Sequence, residues 1–163
     1  MMVTSDVSRV GIADAVFAKD DQLLTAAGLG SCVAVVLYCL DKRVAAMAHI
    51  MLPNSSIDRG STITMPGKYA DTAVPHLYQL VKERGAVHIR AKIAGGSQMF
   101  KLSQKGQMNI GPRNVDATKH ELARHRIALL GEHVGGHQGR TVTFSPRTGV
   151  LKVKLFQKGT FDI

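Results

Sequence analysis

Gly28-Leu29-Gly30-Ser31-Cys32-Val33-Ala34-Val35-Val36-Leu37-Tyr38 decides how this chain is read. A glycine turn leads into a cysteine, and the cysteine opens an apolar run too short for anything but a buried strand. Val33 to Tyr38 is apolar at consecutive positions, the pattern of a strand covered on both faces. After the polar break Asp41-Lys42-Arg43, Val44 to Leu52 resumes as a second buried strand ending at Pro53. Together they predict a hairpin turning near residue 41, with Cys32 at the mouth of one strand and His49 on the other.

Opposed residues in an antiparallel pair have a constant sum of residue numbers. A sum of 81 sets Cys32 directly opposite His49, whereas 83 sets it opposite Met51 with His49 as diagonal neighbour on the same face. A sum of 82 separates the two onto opposite faces. Opposed Cβ atoms lie ~4.5–5.5 Å apart and diagonal ones about 7–8 Å. In either favourable register the imidazole can take the thiol proton. An ordinary thiol pKa of about 8.5 leaves little thiolate at neutral pH, and a neighbouring imidazolium brings it to roughly 3.5–7.5. The thiolate then attacks a carbonyl and protonated His49 serves the leaving group. Gly28 and Gly30 let backbone approach a developing oxyanion, with the amides of Ser31 and Cys32 as donors. The plainer alternative stays open: a cysteine entering an apolar strand and a histidine between Ala48 and Ile50 can both be core residues. A phosphate loop is disfavoured, because a β-branched run rather than a helix follows the glycines.

At 163 residues the chain is expected to be a single domain, 1–163. With 45% apolar and 20% charged residues it has the balance of a folded globular protein. No run approaches the ~18 apolar residues of a membrane span, so no membrane insertion is expected. Met1 to Asp6 lacks the basic start and apolar stretch of a secretory leader, which makes the cytoplasm the expected compartment. There Cys32 and Cys39 are expected as free thiols. The net charge of +9 is spread without a run of five basic residues. That favours solvated surface, then an acidic protein partner, over nucleic acid, and the absence of Trp argues against a base-stacking face. His133 and His137 have no cysteine or carboxylate cluster to complete a metal site. No cofactor is expected.

Along the chain, residues 9–18 read as a first strand, 20–21 as a turn, and 23–27 as an extended segment feeding the glycine turn. Residues 54–67 form a loop. Apolar positions 69, 73, 77, 80 and 81 predict a helix over 69–84, with Pro75 tolerable in its first turn. A strand follows at 87–94, then an irregular segment over 97–113, in which Met99-Phe100 is either an exposed apolar contact or core. Asn114 is expected to cap a second helix running to about Arg126. A strand at 127–130, a glycine-rich loop at 133–140 and a hairpin of 141–144 with 150–156 complete an α/β (α+β) domain. Its mixed sheets form a sandwich with flanking helices.

Gly28-Leu29-Gly30-Ser31-Cys32-Val33 and Ala48-His49-Ile50-Met51-Leu52-Pro53 resemble the signature segments of the CheD family of chemoreceptor glutamine deamidases. The likeness runs on through Lys68-Tyr69-Ala70-Asp71-Thr72-Ala73, Ala91-Lys92-Ile93-Ala94-Gly95-Gly96, Met99-Phe100 and Asn109-Ile110-Gly111-Pro112-Arg113-Asn114-Val115. Gly135-Gly136 and Gly139-Arg140 extend it over nearly the whole chain. The resemblance implies an amidohydrolase that converts receptor glutamines to glutamates with release of ammonia. It matches the nucleophile to Cys32 and the histidine to His49. It also implies a β-sandwich related to deamidating bacterial toxins, an open groove for a helical substrate, and methyl-accepting chemotaxis receptors and the phosphatase CheC as partners. One position departs. The family pattern has a threonine six residues before the cysteine, where this chain has Ala26. Thr25 stands one residue earlier and needs a bulge to reach the same face; a backbone carbonyl near Ala26 is the other group able to orient His49. That departure keeps a non-catalytic adaptor, binding receptors and CheC, as the alternative function.

Overall fold

In the computed structural model, which describes residues 6–58, 64–98, 109–156 and 158–163, the two apolar runs form adjacent central strands. They are β4 (Val33–Cys39) and β5 (Val44–Ile50), and every residue of both is buried. Alternate side chains leave a strand on opposite faces, so such a pair needs cover on both sides, and it has it. Val33, Val35, Leu37 and Cys39 face one apolar cluster together with helices α1 (Ala70–Lys82) and α2 (Ile110–Arg124). Ala34, Val36 and Tyr38 face a second cluster with Leu24, Ala26, Val142, Phe144 and Val153.

The residues of that second cluster come from another sheet. One five-stranded sheet has the order β1 (Val7–Arg9), β3 (Leu23–Leu29), β8 (Arg140–Phe144), β9 (Leu151–Leu155), β10 (Gly159–Asp162). The other runs β2 (Ala15–Lys19), β5, β4, β6 (Arg90–Gly95), β7 (Ala128–Val134). Both are mixed, with β1–β3 and β6–β7 the parallel pairs. The layers are therefore outer sheet, central sheet and helices. Tyr38 and Phe144, with ring centroids 5.0 Å apart, join the two sheets through the core.

Several elements differ from expectation, each for a local reason. The strand expected over 9–18 is two strands in different sheets. Between them Asp14 closes a turn on Gly11, N–H to carbonyl at 2.9 Å, and Ala13 takes φ of 71°. Helix α2 starts at Ile110, preceded by Asn109 in the left-handed region, so Asn114 lies inside the helix and is not its cap. Pro75 falls in the second turn of α1, one turn deeper than expected, and denies the Asp71 carbonyl its helical donor. Strand β7 continues to Val134 and takes His133 out of the expected loop, and β10 has no counterpart in the sequence reading. Met99 and Phe100 lie outside the described residues.

Helix α2 sits unusually close to the backbone beneath it. A Cβ at Gly111 would collide with the carbonyl oxygen of Ser97 and stand 2.6 Å from that of Gly96. Helix propensity alone predicts that Gly111→Ala stabilises by roughly 1 kcal/mol. Backbone atoms cannot swing aside as side chains do, so we expect a net loss of about 1–3 kcal/mol, read as a lower urea midpoint at unchanged m-value.

Candidate active site

The register that decides the site is a sum of 83: Val33 pairs with Ile50, Ala34 with His49, and Val35 with Ala48. Cys32 and His49 are therefore diagonal neighbours whose side chains leave the central sheet on its inner face, toward the outer sheet. Cys32 packs against the inter-sheet cluster and is half-buried, while His49 is only 3% exposed. Cys39, seven positions along, emerges on the helix side and is buried; both thiols are free.

The crossing between β1 and β2 supplies the partner of the imidazole. Val10 N–H donates to the Thr25 carbonyl (2.8 Å), Ala13 N–H to the His49 carbonyl (2.9 Å), and His49 N–H to the Asp14 carbonyl (3.0 Å). Residues 10–14 are thus tied to both sheets, which holds the Val10 carbonyl 3.0 Å from His49 Nδ1. A carbonyl only accepts, so Nδ1 donates to it and Nε2 is the ring nitrogen left to exchange a proton. The orientation of the ring is thereby fixed.

Thr25 does not share in this. Its hydroxyl donates to the Val142 carbonyl (2.9 Å) and lies 3.2 Å from Thr143 Oγ1, on the outward face of β3. Ala26 has the inward position and is fully buried in the inter-sheet core. The register shift between β3 and β8 falls between Ala26 and Leu29, too late to turn Thr25 inward.

The cysteine loop is held by its carbonyls. That of Gly30 accepts from Ser97 N–H (2.9 Å), that of Ser31 from Asn114 Nδ2 (2.9 Å), and that of Cys32 from Gly96 N–H (2.8 Å). With those oxygens engaged, the N–H groups of Gly30, Ser31 and Cys32 find no acceptor among the described residues. Asn114, fully buried, also donates to the Met51 carbonyl at 3.1 Å, so one side-chain amide bridges the residue before Cys32 and the residue opposite it. Sequence reasoning missed this role because an asparagine near the start of an apolar-periodic stretch carries the signature of an N-cap. Gly95, at φ of 109°, completes the cradle: a Cβ there would overlap the Cys32 carbonyl oxygen.

Burial pushes the Cys32 pKa up from the ordinary cysteine value, with no charge among the described residues offsetting it. The only hydrogen bond of the His49 side chain among the described residues is the one to Val10. His133 and His137 are engaged elsewhere. His133 Nδ1 accepts from the Arg140 guanidinium at 2.9 Å, and His137 Nδ1 bonds the Gln98 carbonyl at 2.9 Å.

A mixed α/β sandwich that sets a half-buried cysteine beside an oriented histidine defines a class of small domains equipped for thiol chemistry. Comparison with known proteins narrows this. The model of a family described as CheD chemotactic sensory transduction matches residues 51–155. A probable chemoreceptor glutamine deamidase CheD of Geobacillus kaustophilus is 47% identical over 157 residues, 94% of each chain. The chemoreceptor glutamine deamidases CheD of Halalkalibacterium halodurans and Bacillus subtilis are 43% and 40% identical, covering 98% and 94% of this chain and 99% and 93% of their own. This chain belongs to the CheD family.

Two outcomes follow from the geometry. Because the thiol pKa is raised, thiolate is scarce at neutral pH and grows as pH rises. Iodoacetamide labelling of Cys32, located by peptide mass mapping, should climb steadily past pH ~8.5; a rate already level by neutral pH would reveal a preformed ion pair. Asn114→Ala leaves two carbonyls without their donor and should cost about 1–3 kcal/mol in urea unfolding.

Proposed function

We propose that this chain is a chemoreceptor glutamine deamidase in which Cys32 is the nucleophile and His49 the base and acid. The names of its near full-length relatives support the reaction and substrate. The observation that carries the residue roles is the β4–β5 register, which gives Cys32 and His49 one face, with Nδ1 of the imidazole committed to Val10.

The chemistry then runs in two halves. As the substrate amide enters, His49 Nε2 takes the Cys32 proton and Sγ adds to the glutamine side-chain carbonyl carbon. The resulting oxyanion is stabilised by the N–H groups of Ser31 and Cys32, at a turn where Gly30 leaves the backbone approachable. Collapse breaks the C–N bond, Nε2–H protonates the departing nitrogen, and ammonia leaves a thioester on Cys32. His49 next takes a proton from water, whose oxygen attacks the thioester carbon. The carboxylate is released and the proton returns to sulfur. With the resting thiol neutral, the cysteine is activated only when Nε2 and substrate meet it, since catalytic hydrogen bonds often tighten only in the substrate complex.

The third group in this reading is the Val10 carbonyl rather than Thr25. A carbonyl holds the productive tautomer and stabilises the imidazolium by its dipole, which is a weaker effect than a charge. We read the sandwich as akin to the deamidating toxin-type cysteine hydrolases, as the family resemblance implies. We further read methyl-accepting chemotaxis receptors as substrates, CheC as a second partner, and the cytoplasm as the working compartment. Among the described residues no helix is long and apolar enough to cross a membrane.

A second reading, an adaptor that binds receptors and CheC without turnover, draws support from Ala26 and from the raised thiol pKa. Incubation with a receptor cytoplasmic fragment and peptide mass analysis separates the two. Under the deamidase reading glutamine is converted to glutamate, Cys32→Ala and His49→Ala each abolish conversion, and Thr25→Val keeps kcat within about threefold. A wild-type protein that binds the fragment and converts nothing is the adaptor, and a severe loss in Thr25→Val would restore the threonine to the site.

A further inference from the structure

A cleft of about 830 Å³ opens beside the cysteine loop, its walls including Gly28, Arg140, Thr141, Lys154, Phe156 and Lys158. It falls within the size range of ligand sites, yet its composition is unlike a small-molecule pocket. No acidic residue lines it, and none of its three cations has an ion pair among the described residues. Arg140 is the unusual member, only 4% exposed. Its guanidinium is held by the carbonyls of His133, Gly135 and Gln138, and its Nε has no partner among the described residues. A buried cation surrounded by neutral acceptors leaves its charge uncompensated, and Lys154 and Lys158 add to the same field from the exposed rim.

Two further features indicate what kind of anion belongs there. The Phe156 ring is 79% exposed at the edge of the cleft. A small inorganic ion gains nothing from such a ring, whereas a polypeptide gains apolar contact. Gly28 is also four residues from Cys32, so the Cα atoms of this wall residue and of the cysteine are at most about 14 Å apart. At ~1.5 Å per residue of helix that corresponds to roughly nine residues of a helical substrate.

We propose that this cleft docks acidic side chains flanking the glutamine to be modified, with Asp or Glu of the substrate segment facing Lys154 and Lys158 and an apolar neighbour on Phe156. The proposal rests on the deamidase reading and names what that reading lacks, the feature by which one glutamine is chosen over another. Lys154 and Lys158 act on binding and not on the reacting atoms.

The test is steady-state deamidation of a purified receptor cytoplasmic fragment by the full chain. A second substrate has every Asp and Glu within about nine residues of the modified glutamine changed to Asn. The double variant Lys154→Glu/Lys158→Glu should raise KM on the first substrate about tenfold with kcat unchanged. Lys154→Gln/Lys158→Gln should give a smaller rise, and neither should affect KM on the Asn substrate. Wild-type KM on the first substrate should also rise with salt, as screening of exposed charges requires. Equal KM for wild type and double reversal on the acidic substrate would overturn the proposal while leaving deamidation intact. If wild type converts neither substrate, the deamidase reading fails separately. The cleft is then judged by fluorescence anisotropy of a labelled peptide carrying the acidic flank: loss of binding on charge reversal supports it, and unchanged binding overturns it. Tighter binding of random duplex DNA than of that peptide, through the same lysines, would also overturn it.

Discussion

The parity of the β4–β5 pairing governs this molecule. Both strands are buried on both faces, so a slip of one residue would move the inter-sheet side chains into the helix layer and the helix-side ones between the sheets. Cys32 and His49 inherit that constraint. They share a face because Ala34 pairs with His49, and Ala34 pairs with His49 because Met47 and Val36 must fill one core while Val35 and Ala48 fill the other. The packing of two apolar layers thus fixes the relation between a thiol and an imidazole without any direct bond between them.

How much of this was legible in the sequence depended on how local the signal was. The continuous apolar runs announce β4 and β5, the break at 41–43 announces their turn, and two of the three registers open to the pair put Cys32 and His49 on one face. The helical stripe from 69 to 81 was equally plain. What stayed hidden was set by partners far along the chain. Residues 9–18 carry one apolar pattern but serve two sheets, and only tertiary pairing divides them at the Gly11–Asp14 turn. Asn114 looked like a cap because capping is the local use of asparagine; its actual partners lie 83 and 63 residues away. The spacing of Thr25 to Cys32 says nothing of its hydroxyl's partners, which are Val142 and Thr143 on the outward face. Gly159 to Asp162 is too short and polar to declare itself, and becomes a strand by adding to the edge of β9.

The site is built for restraint more than for reactivity. Desolvation disfavours the thiolate, the imidazole is tethered through Nδ1, and the oxygens around Cys32 are occupied in holding the loop. Such an arrangement protects a cysteine from indiscriminate alkylation and oxidation, both of which need thiolate. In the proposed mechanism part of the activation falls to the substrate, whose entry would bring Nε2 and sulfur into one reacting cluster. In that same reading the Val10 carbonyl, and no side chain at Ala26, is the group that steadies the ring.

Asn114 has a mechanical consequence. Its amide nitrogen reaches the chain on either side of the Cys32–Met51 position from a helix whose first turn rests on bare backbone at Gly96 and Ser97. A rigid rod fastened in this way cannot rotate or slide by even a bond length without dragging both strand ends along. Any load borne by the outer side of α2 would therefore be delivered to the mouth of the site as a change in gap width.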